Sequence, residues 1–247
     1  MIVLGSAKRA QETRHCRTLA TGFSFHRSEW LESGRDGAMS PTVFLVEQPP
    51  HSVLDPHFHA QNQFQVVKQG SGTLGPHAVG PGSVHYAGAF TGYGPLVAGP
   101  AGLSYFTVRA VFEIGANFLP VEREKLRRGP KKHAQGPIHE PLSAIQLSAL
   151  AAPVCVDLIG TPADELAAFA WHLPPFAPVQ APPPGGSGQF QLVMAGEFLT
   201  PEATLSSWES RCLSAGESDG ACSAGAGGLQ LLVLQMPAKA VEYAAAP

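Results

Sequence analysis

Charge is scarce in this chain. Asp, Glu, Lys and Arg supply 14 % of its 247 residues, and the formal net charge is −3. A balance so near neutral leaves no electrostatic footprint for a phosphate backbone, so nucleic acid is not an expected partner. Long apolar runs are missing as well. No stretch approaches the length of a bilayer-spanning helix. Near the start, Lys8, Arg9, Glu12 and Arg14 interrupt any hydrophobic segment before it could act as a leader. The expectation is a cytoplasmic protein without a membrane partner. Cysteine is sparse: Cys16, Cys155, Cys212 and Cys222 have no CxxC spacing. Free thiols in a reducing compartment are expected, with a Cys212–Cys222 pair as the alternative in a secreted chain. Nothing resembles a nucleophile elbow, a P-loop or a dinucleotide fingerprint.

What is present points to short strands and many turns. The chain is 44 % apolar, enough for a sizeable core, and carries 27 Gly and 23 Pro. Residues 23–25, 42–47 and 103–112 read as strands. Residues 121–128 (VEREKLRR) read as a short helix stopped by Gly129-Pro130. Their basic residues, continued by Lys131 and Lys132, read as a solvated linker face. Thr161-Pro162-Ala163-Asp164 has the look of a helix start, with ELAAFAWHL as its body and Pro174-Pro175 as its stop.

The sequence also repeats. Gln63-Phe64-Gln65-Val66-Val67 recurs as Gln189-Phe190-Gln191-Leu192-Val193, and Gly70 recurs as Gly196. Ala98 to Leu103 recurs as Ala224 to Leu229, again 126 residues later. Two separated segments sharing one offset indicate an internal duplication.

The densest chemistry lies in HFHAQNQFQVVKQG, from His57 to Gly70. On a strand, residues two apart share a face, so His57 and His59 aim both imidazoles at one point. Gln63, four residues on, can return a third donor. Two imidazoles and an amide oxygen suit a borderline divalent metal: Zn, Ni, Fe(II), Mn or Cu. Gln65 shares the face of Gln63 on a continuing strand and is a candidate pocket residue. Tyr86 is a second, as aromatic wall.

This spacing resembles the first motif of the cupin family, G-x5-H-x-H-x3-E-x6-G. His57, His59, Gln63 and Gly70 take its second to fifth marked positions, with Gln63 in place of the glutamate and His51 in place of the first glycine. The second motif, G-x5-P-x-G-x2-H-x3-N, is half present in either of two registers. Starting from Gly82, Tyr93 takes the place of the third histidine. Starting from Leu74, His85 does. Either residue could therefore be the further ligand or the acid/base group.

The resemblance implies an all-β fold of two tandem jelly-roll barrels with short linking helices. Its expected parts are an arm (1–19), a first barrel with the metal site (20–115), a linker with a short helix (116–145) and a degenerate second barrel (146–247). The 126-residue offset sets Pro183 and Gly185 where the two histidines would stand, which removes both imidazoles from the second unit. The resemblance further implies a metal-dependent dioxygenase, isomerase or lyase acting on a small molecule, with a non-catalytic ligand-binding or sensing protein as the alternative. A second copy, in a homodimer, is the other expected partner.

Overall fold

The computed structural model describes residues 1–36, 39–161 and 165–244. The chain is all-β. Its strands run in order β1 (Ile2–Gly5), β2 (His15–Thr18), β3 (Ser24–Glu32), β4 (Thr42–Gln48), β5 (Val53–Leu54), β6 (His57–Phe58), β7 (Gln63–Leu74), β8 (His77–Val79) and β9 (Val84–Ala87). They continue as β10 (Leu96–Arg109), β11 (Asn117–Phe118), β12 (His133–Gln135), β13 (Val154–Thr161), β14 (Leu166–Leu173), β15 (Gln189–Leu199), β16 (Thr204–Leu205), β17 (Ser210–Leu213) and β18 (Ser223–Gln235). Among the described residues the α-helices are short: α1 (Ala7–Thr13), α2 (Ala144–Ser148) and α3 (Val241–Ala244).

Two antiparallel sheets hold almost all of these strands, in tandem jelly-roll units. The first runs β12-β9-β7-β10-β4-β3-β2, and the second β1-β17-β15-β18-β14-β13. The central strands keep the 126-residue offset in their pairing as well as their sequence. Gln63 opposes Ala87 and Gln189 opposes Leu213, while Leu103 opposes Gly70 and Leu229 opposes Gly196. Even the bulge is shared, since the pairing skips Lys68 in β7 and Met194 in β15. Gly70 and Gly196 have φ of +82° and +83°, and a Cβ at either would strike the carbonyl of Gly102 or Gly228 opposite. Only glycine meets both demands.

Strand alternation decides which side chains meet. Phe64, Val66, Phe106 and Val108 of the first sheet pack against Phe190, Leu192, Leu232 and Leu234 of the second in one shared core. The intervening residues, among them Val67, Leu103 and Tyr105, face the interior of the first unit. Strands buried on both faces explain why β7, β10, β15 and β18 read as nearly continuous apolar runs.

Several expectations are corrected. The first nineteen residues are not an arm, because β1 pairs with β17 as the edge of the second sheet, α1 packs on β3, and β2 is the edge of the first sheet. Of the helix expected over 121–128, only a 3-10 turn at Arg123–Lys125 forms. The stretch read as a helix after Thr161 is strand β14, paired on both sides by β13 and β18. Its alanines Ala168 and Ala170 are fully buried in the shared core, where packing overrides their helical preference. The expected cap residues 162–164 lie outside the described residues. All four cysteines are free thiols. No helix among the described residues is long and apolar enough to cross a membrane.

Candidate functional site

Backbone pairing assembles the site. His57 and Tyr93 exchange both main-chain hydrogen bonds, N–H to C=O at 3.1 and 3.0 Å, which sets their side chains side by side. The Phe90 N–H donates to the carbonyl of His59 at 2.6 Å, and Phe90 takes φ +56°. It sits where the second motif has a glycine, and it keeps the left-handed backbone such a position favours. His57 and His59 lie 5.3 Å apart, centroid to centroid, with their rings nearly perpendicular.

The hydrogen bonds fix the tautomer of His57. Nδ1 of His57 lies 2.8 Å from the carbonyl of Asp55, and Nδ1 of His59 lies 3.0 Å from that of Gly115. A carbonyl only accepts, so Nδ1 of His57 carries the proton and its Nε2 presents a lone pair, whereas Nδ1 of His59 also lies 3.0 Å from the Nη2 donor of Arg109. Burial holds His57 neutral, with its pKa down at about 3, and the neighbouring His59 and Arg109 push the same way. His59 is lowered too, first by burial and then by the Arg109 charge. Tyr93 is driven upward by burial and stays a phenol. Its hydroxyl donates to Nε2 of His57 at 2.8 Å and accepts from the Gln63 amide at 2.5 Å.

The centre of this cluster is a guanidinium. Arg109, at the end of β10, is 3 % exposed. It donates to Oε1 of Gln63 through both Nε (3.0 Å) and Nη2 (2.9 Å). Its Nη2 also lies 3.0 Å from Nδ1 and 3.2 Å from Nε2 of His59. Glu113 balances the charge, with Oε2 3.8 Å from Nη1 of Arg109 and 3.4 Å from Nδ1 of His59. Burial favours the neutral acid at Glu113, but His59, Arg109 and the Ala60 N–H outweigh it and hold the carboxyl below its ordinary range. The Oε2 atom is buried without a hydrogen-bond partner.

This arrangement does not fit a divalent metal. A metal would need the lone pairs of His57 Nε2, His59 Nε2 and Gln63 Oε1. Each already faces an N–H or O–H of this chain, and the guanidinium brings a like charge to the same place. Among the described residues no group of three His, Cys, Asp or Glu side chains converges as a cation site.

The other expected site residues take different places. His85 shares the inner face of the first unit but turns to Gln65, with Nδ1 3.1 Å from Oε1, and burial takes its pKa to about 3. Its ring centroid lies 5.1 Å from that of Tyr93. Of the two registers for the second motif, the one beginning at Gly82 brings its residue, Tyr93, against His57 and Gln63. Tyr86 is not a pocket residue. It opposes Phe64 across the β7–β9 ladder and therefore shares that residue's face, in the core between the sheets. Gln65 does line the cavity beside His57, His59, Tyr93 and Arg109, a space of about 70 Å³.

Arg109 and Glu113 escaped the sequence reading. A signal was present, since in LSYFTVR the alternate residues Tyr105, Thr107 and Arg109 are polar-tipped and share one face. Arg109 also stands 126 residues before Gln235.

An all-β chain of two jelly-roll units, with a histidine-lined cavity inside the first, has a cupin-type fold. Solved structures share it. A nickel(II) complex of the pirin YhhW from Escherichia coli matches with a TM-score of 0.56 and 12 % identity, covering 96 % of this chain and 100 % of that one. A candidate dioxygenase from Nostoc punctiforme gives 0.59 and 11 %, covering 97 % and 80 %. A Bacillus subtilis oxalate decarboxylase gives 0.56 and 10 %, covering 93 % and 76 %. These likenesses establish the fold. No protein-family model matches the sequence, and no curated protein does.

Proposed function

We propose that the chain is a bicupin whose first unit binds a small molecule in the cavity beside His57, His59 and Tyr93, without a metal. The second unit is degenerate and serves as a packing partner. The observation that carries this reading is the double hydrogen bond from Arg109 to Oε1 of Gln63, which puts a fixed organic cation where a metal would need an open ligand. The division into units follows the sheets: the first holds residues 15–135, and the second 154–235 together with β1.

A metal-dependent enzyme of dioxygenase, isomerase or lyase type is the second reading. The Nδ1–H bond of His57 to the Asp55 carbonyl favours it, because it turns Nε2 inward as in metal-ligating histidines. The nickel in the E. coli pirin lends it support by analogy of fold. It requires Arg109 to withdraw from Gln63.

Elemental analysis separates the two. The protein is dialysed after exposure to Mn(II), Fe(II), Ni(II), Cu(II) or Zn(II). Wild type is expected to retain well under one equivalent of each, and Arg109→Gln to retain more. One equivalent in wild type, lost in His57→Ala, would establish the metal reading instead.

A further inference from the structure

The cavity of the first unit has an unusual charge distribution. Three arginines line it, Arg17 from β2, Arg27 from β3 and Arg109 from β10, and no carboxylate does. Two are held in place by the protein. Arg27 donates to Glu29 at 2.6 Å and stacks on Phe44 at 3.6 Å, while Arg109 is bound by Gln63 and Glu113. Among the described residues no hydrogen bond or ion pair engages the Arg17 side chain, whose charge is repelled by Arg27 and attracted by Glu29. The rest of the lining is largely apolar, from Leu19, Phe23, Phe25, Val46, Leu54 and Phe118. Converging guanidiniums over an apolar wall match a ligand with an anionic head and a hydrocarbon body.

We infer that this cavity is a receptor for a short-chain monocarboxylate, its carboxylate on Arg17 and Arg27 and its tail against the aromatic wall. The inference rests on the metal-free small-molecule reading and adds the class of ligand. Size limits the class. The cavity's volume of about 70 Å³, at about 10–15 Å³ per water position, corresponds to roughly five to seven non-hydrogen atoms. Butyrate has that size. Arg17 is the recognition residue, its side chain free of any hydrogen bond or ion pair among the described residues, and the planar fork of Arg27 is pre-oriented by Phe44 and Glu29.

Isothermal titration calorimetry on the full chain tests this with four probes: butyrate, butyramide, butylamine and sulfate. Butyrate is expected to bind, with affinity falling as salt rises. Butyramide, with the same shape and no charge, is expected to bind at least tenfold more weakly, or about 1.4 kcal/mol. Arg17→Met, on a partly exposed edge strand, should weaken butyrate about tenfold while leaving the circular-dichroism melt unchanged. Arg27→Lys should also weaken it, because a point charge cannot present the fork. Butyramide binding as tightly as butyrate overturns the carboxylate class and leaves the small-molecule pocket standing. Sulfate binding as tightly as butyrate overturns the role of the apolar wall. Silence from all four probes overturns the ligand class, and an equivalent of bound metal in wild type would then identify failure of the underlying reading.

Discussion

The two units build the same strand ladder and fill it with opposite chemistry. In the first, Gln63 lies between Arg109 and Tyr93, within reach of two neutral histidines. In the second, Gln189 occupies the same register, but Gln235 replaces the arginine and Pro183 and Gly185 replace the imidazoles. The Gln189 amide donates to Oε1 of Gln235 at 3.2 Å and to the carbonyl of Pro182 at 2.8 Å, while Gln191 donates to Oε1 of Gln189 at 2.8 Å. Gln235 in turn donates to the carbonyl of Gly185 at 2.7 Å. These neutral amides bond one another and the loop before β15, while Oε1 of Gln191 is buried without a partner among the described residues. Arg211, at the position of His85, is also internal and is neutralised by Asp219 and Glu202. Backbone register is thus conserved between the units by sheet geometry, while the inner side chains are free to become either a site or a brace.

Deleting the internal cation should show the largest difference. Arg109→Met removes the cation that pairs with the buried Glu113 carboxylate and the two donors to the Gln63 oxygen, and should cost about 3–5 kcal/mol in urea denaturation. The counterpart Gln235→Met breaks neutral bonds only and should cost about 1–2 kcal/mol. Equal losses would mean that the charge in the first unit is not the special feature.

Acid should come next, acting through the first unit. Burial takes the pKa of His57 and of His85 down to about 3 in the folded protein, against 6.5 for a free imidazole. Between those values the unfolded chain binds more protons, so stability is complete above pH 6.5 and falls as pH drops toward 3. The loss at pH 5.5 should be about 1–1.5 kcal/mol per histidine. His85→Gln should flatten the pH profile of denaturation, whereas His172→Gln in the half-buried second-unit position should alter it less. A profile flat from pH 7 to 5 would refute the buried neutral imidazoles.

The shared scaffold predicts equality where the chemistry predicts contrast. Gly70→Ala and Gly196→Ala meet the same φ and the same facing carbonyl, and each should cost about 2 kcal/mol, measured by thermal melts. A large gap between them would show that the two ladders bear different loads. The smallest effect expected is that of Tyr93→Phe, which removes one hydroxyl between His57 and Gln63 and should cost about 1 kcal/mol.

The shared strand register was legible because register is local. One offset of 126 residues tied Gln63 to Gln189 and Gly70 to Gly196, and strand pairing kept those equivalences because slipping one residue would turn each inner face outward. The HxH spacing likewise brought two imidazoles to one cavity. Tyr86 was misjudged because its face depends on pairing with Phe64, and the stretch at β14 because Ala and Leu favour helix until both faces are buried.

By itself, then, the sequence determined the all-β character, the repeat and the pair of histidines, all of which follow from periodicity over a few residues. Only the tertiary structure decided that Tyr93 and not His85 stands against His57, that β1 closes the edge of the second sheet, and that Arg109 fills the centre of the first unit. Those outcomes depend on contacts between distant segments, with Arg109 reaching Gln63 across 46 positions of chain. Spacing along the sequence does not encode which donor arrives first at a buried lone pair; the packing of strands around it does.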